Sequence, residues 1–252
     1  MTRGRLGAYA PRQLGDFMLG RGVLLALGIA FVFWSQIAVM RAGMGPAWAD
    51  GPLGAARAQR IFDQLLGLLT WVGTIIAVRG IVSTDRRQGY FRFFFAKPVG
   101  LVRFYLQSWA MTGLGLTLLA ALLAATFTVL ASPVSIPGAV AAMLLVWWAI
   151  GGLGFLLSTL TDADGLMLML LSVVGLAATE YARARQFALQ EKLLWLEAAR
   201  YLLPPIEPLR EAREYLVGDG PLATASLVWI LGFGLVCLAA GTFVLRRRPF
   251  GA

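Results

Sequence analysis

Residues 104–161 read FYLQSWAMTGLGLTLLAALLAATFTVLASPVSIPGAVAAMLLVWWAIGGLGFLLSTLT, 58 consecutive positions without an Asp, Glu, Lys or Arg. At ~1.5 Å per residue, one helix of that length would far exceed the ~30 Å hydrocarbon core of a bilayer, which about 20 residues cross. The run therefore predicts two crossings. Ser132-Pro133-Val134-Ser135-Ile136-Pro137-Gly138 supplies the break between them, because proline and glycine punctuate helices.

Outward from this run the same arithmetic gives four more crossings. Gly22 to Met40 is uncharged and forms span one, full length and expected to stay as a span rather than be removed as a signal. Ile61 to Val82 is span two, with Asp63 near one end and Arg79 near the other. Spans three and four come from residues 104–161. Leu166 to Thr179 is span five, short unless it extends through Glu180 to Tyr181, and Leu222 to Leu245 is span six. The expected fold is an all-α, polytopic integral membrane protein, with residues 1–252 forming one transmembrane domain.

Composition agrees. The chain is 59% hydrophobic and 14% charged, against about 25% charged for an ordinary soluble domain. Its formal net charge of +9 would suggest nucleic acid as a partner for a soluble protein. Here the basicity is accounted for by the accumulation of Lys and Arg on cytoplasmic loops, so no nucleic-acid partner is expected. The N-terminal arm, residues 79–103 and the tail hold 13 Lys or Arg. With the 161–165 turn, that side has the four acids Asp16, Asp85, Asp162 and Asp164, a net of +9. The other side carries nine basic and nine acidic residues, a net of zero. Both termini are therefore expected in the cytoplasm, and Arg246-Arg247-Arg248 directly after span six fits; Arg41, Arg57 and Arg60 run against it. The single cysteine, Cys237, lies in span six and leaves no disulfide framework.

Three segments lie outside the predicted spans. Residues 1–21 can form a cytoplasmic amphipathic arm through Leu6, Tyr9, Leu14, Phe17 and Met18. Residues 182–219 form an external two-helix segment between spans five and six. Its first helix runs from Phe187 to Leu203 and is stopped by Pro204-Pro205. The second carries Glu207, Arg210, Glu211 and Glu214, in which Glu207–Glu211 repel and Arg210–Glu214 attract at i,i+4.

The third segment is Ser83-Thr84-Asp85-Arg86-Arg87-Gln88-Gly89-Tyr90-Phe91-Arg92-Phe93-Phe94-Phe95-Ala96-Lys97-Pro98-Val99. Asp85 can cap a helix, with Gln88 reaching back, and Pro98 ends it. Five aromatic rings exceed what a solvated loop holds, and Arg86, Arg87, Arg92 and Lys97 prevent a crossing. The segment is either an interfacial helix on anionic lipid or a helix inserted into a cleft of a soluble protein.

Two spans, a cytoplasmic helix with Arg87-Gln88-Gly89 and Lys97-Pro98-Val99, and then span three resembles the permease subunits of six-span ABC-type exporters. Pro205-Ile206-Glu207-Pro208-Leu209-Arg210, followed by Gly218, is similar to the outer loop of that family. Arg87 stands where the family commonly has an acid, and Tyr90 where it often has Thr. The resemblance implies a permease domain in the bacterial inner membrane that works with a second permease copy or paralogue and a separate cytoplasmic ATP-binding-cassette ATPase. ATP and Mg would be bound by that partner and no cofactor by this chain. Residues 83–99 would be the coupling helix, with Asp85, Arg86, Arg87, Gln88, Gly89, Tyr90, Phe91, Phe94 and Lys97 docking on the ATPase and passing its closure to spans one, two and five.

The chain has no G-x-x-x-x-G-K-[ST] phosphate loop and no histidine, so neither ATP hydrolysis by that route nor imidazole chemistry is expected of it. A membrane-embedded enzyme or assembly factor without transport activity is the alternative reading. Asp162 and Asp164 in the 161–165 turn are expected to cap a tight connection, with a cation site as the alternative. Asp63 and Glu180, ionisable groups near the ends of spans, are candidates for a translocation path; simple interfacial solvation, or Glu180 paired with Arg183, is the competing account. Met167 and Met169 are expected to fill packing gaps.

Overall fold

A computed structural model describes residues 9–45, 51–88, 100–189, 203–217 and 224–247. Six helices are long and apolar enough to cross a membrane: Ala10–Gly43, Leu53–Gln88, Leu101–Leu130, Ile136–Leu160, Asp164–Tyr181 and Thr224–Arg247, numbered here spans 1 to 6. Among the described residues there is no strand. This is the architecture of a multi-pass membrane protein, in which helices satisfy their own backbone groups where water is absent.

The break in the 58-residue run falls where the prolines place it. Span 3 ends at Leu130 and span 4 starts at Ile136, with Pro137 in its first turn and the Ser135 hydroxyl accepting the Gly138 N–H at 3.1 Å. Proline tolerates a first turn because its missing N–H would have no helical partner there.

Elsewhere the helices run past their apolar cores. Span 1 starts inside the expected surface arm: helix Ala10–Phe17 passes through a π turn at Met18–Gly22 into Val23–Met44. Phe17 is buried against Gly115 of span 3, where a Cβ would collide with its ring. Residues 10–22 are thus continuous with span 1, and Phe17 packs on span 3 while Pro11, Arg12 and Leu19 stay exposed. Span 5 belongs to a helix that continues to Leu189, so residues 187–189 extend it rather than opening a new helix. The remainder of the expected first external helix, 190–202, lies outside the described residues.

Span 4 is the most enclosed. Its central π turn, Trp147–Gly151, presents two indoles in succession. Trp147 stacks on Trp109 of span 3 with centroids 5.5 Å apart, and Trp148 donates from Nε1 to the Leu231 carbonyl of span 6 at 2.9 Å. Gly113 and Gly234 sit under these rings, and a Cβ at either would overlap them. Small residues let spans approach this closely when lipid offers no hydrophobic force between helices. Phe127 of span 3 lies 5.9 Å from Phe33 and 5.2 Å from Phe62, joining spans 1 and 2 to the same core. Leu24, Leu27, Phe31 and Trp34 of span 1 and Val173, Val174 and Leu176 of span 5 remain exposed, as lipid-facing residues do.

The helix Ile206–Val217 is present where the second external helix is expected, and it is tucked into the bundle. Ile206, Leu209 and Ala212 are buried, and Gly138 of span 4 lies directly against the Leu216 backbone.

Candidate functional site

Two polar constructions stand at opposite ends of the bundle. The first is an elbow in span 2. The helix stops at Val78, turns through residues 79–82 and restarts as Ser83–Gln88. Gly80 takes φ +76°, a conformation that side chains with a Cβ rarely adopt. A helix break frees backbone donors and acceptors, and those that are buried need partners.

The connection between spans 4 and 5 supplies them. Asp164, 4% exposed, accepts the Gly80 N–H at 2.8 Å, the Ser83 hydroxyl at 2.9 Å and the Gly165 N–H at 2.7 Å. The Ser158 hydroxyl oxygen accepts the Val82 and Ser83 N–H groups at 3.0 and 3.1 Å. From span 1, Arg21 donates to the Ala77 carbonyl at 2.8 Å. Asp164 and Asp162 are thus hydrogen-bond acceptors that fasten the elbow; among the described residues no group of three or more acidic, His or Cys side chains could hold a metal.

The short helix after the elbow is fastened as well. Arg86 donates to Asp162 Oδ1 from Nε at 2.8 Å and to the Thr159 carbonyl at 3.1 Å, and Arg87 donates to the Asp162 carbonyl. Asp85 accepts from the buried Tyr105 hydroxyl of span 3 at 3.0 Å. This corrects the expected helix cap: the helix begins at Ser83, which places Asp85 inside its first turn with its carboxylate turned to span 3. Of the expected docking residues, Asp85, Arg86 and Arg87 are engaged within the chain and Gln88 is exposed. Gly89, Tyr90, Phe91, Phe94 and Lys97 lie outside the described residues.

The second construction is a ladder of charges along the helix Ile206–Val217. Glu180 of span 5 lies 3.6 Å from Arg183 and 3.8 Å from Arg210; Arg183 reaches Glu207 at 3.3 Å, and Arg210 bonds Glu214 at 2.9 Å. Arg213 and Glu214 act electrostatically on Asp63 of span 2, which also accepts from Gln59 at 3.4 Å. Gln59 in turn donates to the Val217 carbonyl at 3.2 Å. Gly67, one turn beyond Asp63, makes room for Arg213: a Cβ there would lie 2.7 Å from Nη1. The helix therefore lies between Glu180, which it meets through Arg210, and Asp63, which feels the charges of Arg213 and Glu214 with no direct ion pair among the described residues. The expected Glu180–Arg183 and Arg210–Glu214 pairs are present, and the like-charged Glu207 and Glu211 are separated by different partners, Arg183 and Ser226. Glu180, Arg210 and Glu214 are each about half exposed, so each pair contributes about 0–1 kcal/mol and the arrangement is easily rearranged.

Sequence reasoning missed Gln59, Ser83, Tyr105, Ser158 and Arg213. Only the hydroxyls of Ser83 and Ser158 at the edges of apolar runs hinted at them. Compared with protein-family models, with curated proteins and with solved structures, the chain has no significant match.

Proposed function

We propose that this chain is the membrane-spanning permease subunit of an ATP-driven, ABC-type exporter. It would pair with a second copy or paralogue and with a separate cytoplasmic ATPase that binds ATP and Mg. The observation that supports this most is the elbow. Residues 80–87, at the base of the segment proposed to dock, are bonded to span 3 and to the turn between spans 4 and 5. A push on that segment would reach three spans through hydrogen bonds, rather than dissipate in a loose loop. Coupling of this kind needs such a physically connected element with two arrangements.

In this reading the end of the bundle holding the elbow faces the cytoplasm, and the ladder of Asp63, Arg213, Glu214, Arg210 and Glu180 lines the far mouth of the path. Weak, half-exposed ion pairs suit a mouth that must open and reclose.

Affinity purification of the chain from its native membrane, with mass spectrometry of what accompanies it, is the deciding test. An ATP-binding-cassette ATPase in near-stoichiometric amount is expected. Phe91→Ala, Phe94→Ala and Gly89→Leu are then expected to lower its recovery or its ATPase activity sharply, because a few buried aromatic anchors dominate a docked interface. Absence of any ATPase, or normal recovery and activity in all three variants, would overturn the reading and return residues 83–99 to the lipid surface.

A further inference from the structure

The end of the bundle that carries the elbow also holds a cavity of about 480 Å³, between the start of span 3 and the last turn of span 6. Its walls are hydrocarbon, chiefly Val102, Leu106 and Leu245, and two cations border it, Arg103 from span 3 and Arg246 from span 6. Both arginines are exposed, and neither has a hydrogen bond or ion pair among the described residues. That sets them apart from Arg21, Arg86 and Arg87 at the same end, each of which donates to an acceptor within the chain. Arg247, next in sequence, is occupied differently, its guanidinium 4.6 Å from the centre of the Phe243 ring.

Two guanidiniums on separate spans, without a partner among the described residues and at the mouth of an apolar groove, ask for a ligand with both characters. A guanidinium is matched by the paired oxygens of a phosphate. A free phosphate would leave the walls of Val102, Leu106 and Leu245 uncovered. A choline headgroup would bring a third cation against the two arginines. An anionic glycerophospholipid satisfies both requirements, with its phosphodiester at the level where spans end and its chains running alongside them.

We propose that this groove is a binding site for an anionic phospholipid, the phosphodiester held by Arg103 and Arg246 and the first part of an acyl chain lying on Val102, Leu106 and Leu245. The site requires only that the spans sit in a bilayer and is independent of any ATPase.

Native mass spectrometry of the purified full chain, with phosphatidylglycerol and phosphatidylcholine of identical chains, tests it. Phosphatidylglycerol is expected to be retained preferentially. Arg103→Gln with Arg246→Gln should reduce its retention on the order of tenfold or more, while the double Lys variant, which keeps the charge, retains most of it. Leu106→Trp, which fills the groove and leaves both cations, should also displace the lipid. Millimolar inorganic phosphate should leave the lipid in place. Equal retention of the two lipids, retention unchanged in the double Gln variant or in Leu106→Trp, or displacement by phosphate would each overturn the assignment.

Discussion

The Asp164 carboxylate accepts the Gly80 amide at 2.8 Å across 84 positions of sequence, and this one bond joins the start of span 5 to the break in span 2. Its oxygen Oδ2 also takes the Ser83 hydroxyl. Asp164→Ala would leave both donors buried and unpaired, at a cost of about 2–3 kcal/mol. A clear fall in the thermal transition of the detergent-solubilised protein is expected, followed by fluorescence-detected size exclusion. Asp164→Asn keeps one acceptor oxygen and should lose less. Equal stability of the Ala variant and the wild type would show that the bond carries nothing.

Gly80→Ala carries two penalties that can be separated. The φ of +76° disfavours any L side chain by roughly 1–2 kcal/mol, and the new methyl collides with the Thr84 hydroxyl. Thr84→Ala in the same protein should recover only the second part. Full recovery of the thermal transition in the double variant would mean that the backbone conformation is free of strain.

Arg86 and Asp162 form a partly exposed pair, so stability should change by no more than about 1 kcal/mol when either is reversed. If the elbow transmits force, Arg86→Asp or Asp162→Arg should instead lower coupled ATPase activity severalfold, and the double reversal should restore it. Loss of activity that the double reversal fails to rescue would assign the effect to the bond from Arg86 to the Thr159 carbonyl, which Asp at that position cannot make.

At the other end, Gly67→Leu would occupy the space of the Arg213 guanidinium, whereas Gly67→Ala should be accommodated by a small shift of that flexible side chain. If the ladder lines a translocation path, Gly67→Leu and Arg213→Gln are expected to lower transport alike, and Asp63→Ala and Glu180→Ala should alter it while assembly stays intact. Unchanged transport in Asp63→Ala, Glu180→Ala and their combination would reduce the ladder to interfacial solvation.

Topology is checked by placing single cysteines at Gln88 and Gln186 in a Cys237→Ser background. The charge asymmetry predicts labelling from opposite faces of the membrane, with Gln88 on the cytoplasmic face. Labelling of both from one face would sink the six-crossing arrangement.

The six spans were legible because hydrocarbon imposes a one-dimensional rule: enough uncharged residues in a row must form a helix, and proline with glycine must end it. The break at residues 132–138 and the i,i+4 pair of Arg210 and Glu214 follow from spacing alone. Span ends were less legible. Span 1 reaches back to Ala10 with Phe17 packed on Gly115, and span 2 resumes after its break and runs to Gln88 with the freed Ser83 amide taken by Ser158. The cap assigned to Asp85 failed because Tyr105 on another span competes for its carboxylate.

By itself, then, the sequence determined that the chain crosses a membrane, roughly where, and which end gathers positive charge, since these depend on composition counted along the chain. The tertiary structure alone decided which polar groups meet, Asp164 with Gly80 and Ser158 with Ser83, and which residues border one another, Arg213 at Gly67 and Arg103 with Arg246 around one groove. These pairings join residues many positions apart. They arise because a broken backbone and a buried charge must find partners wherever the packed helices bring them, a requirement that no local pattern records.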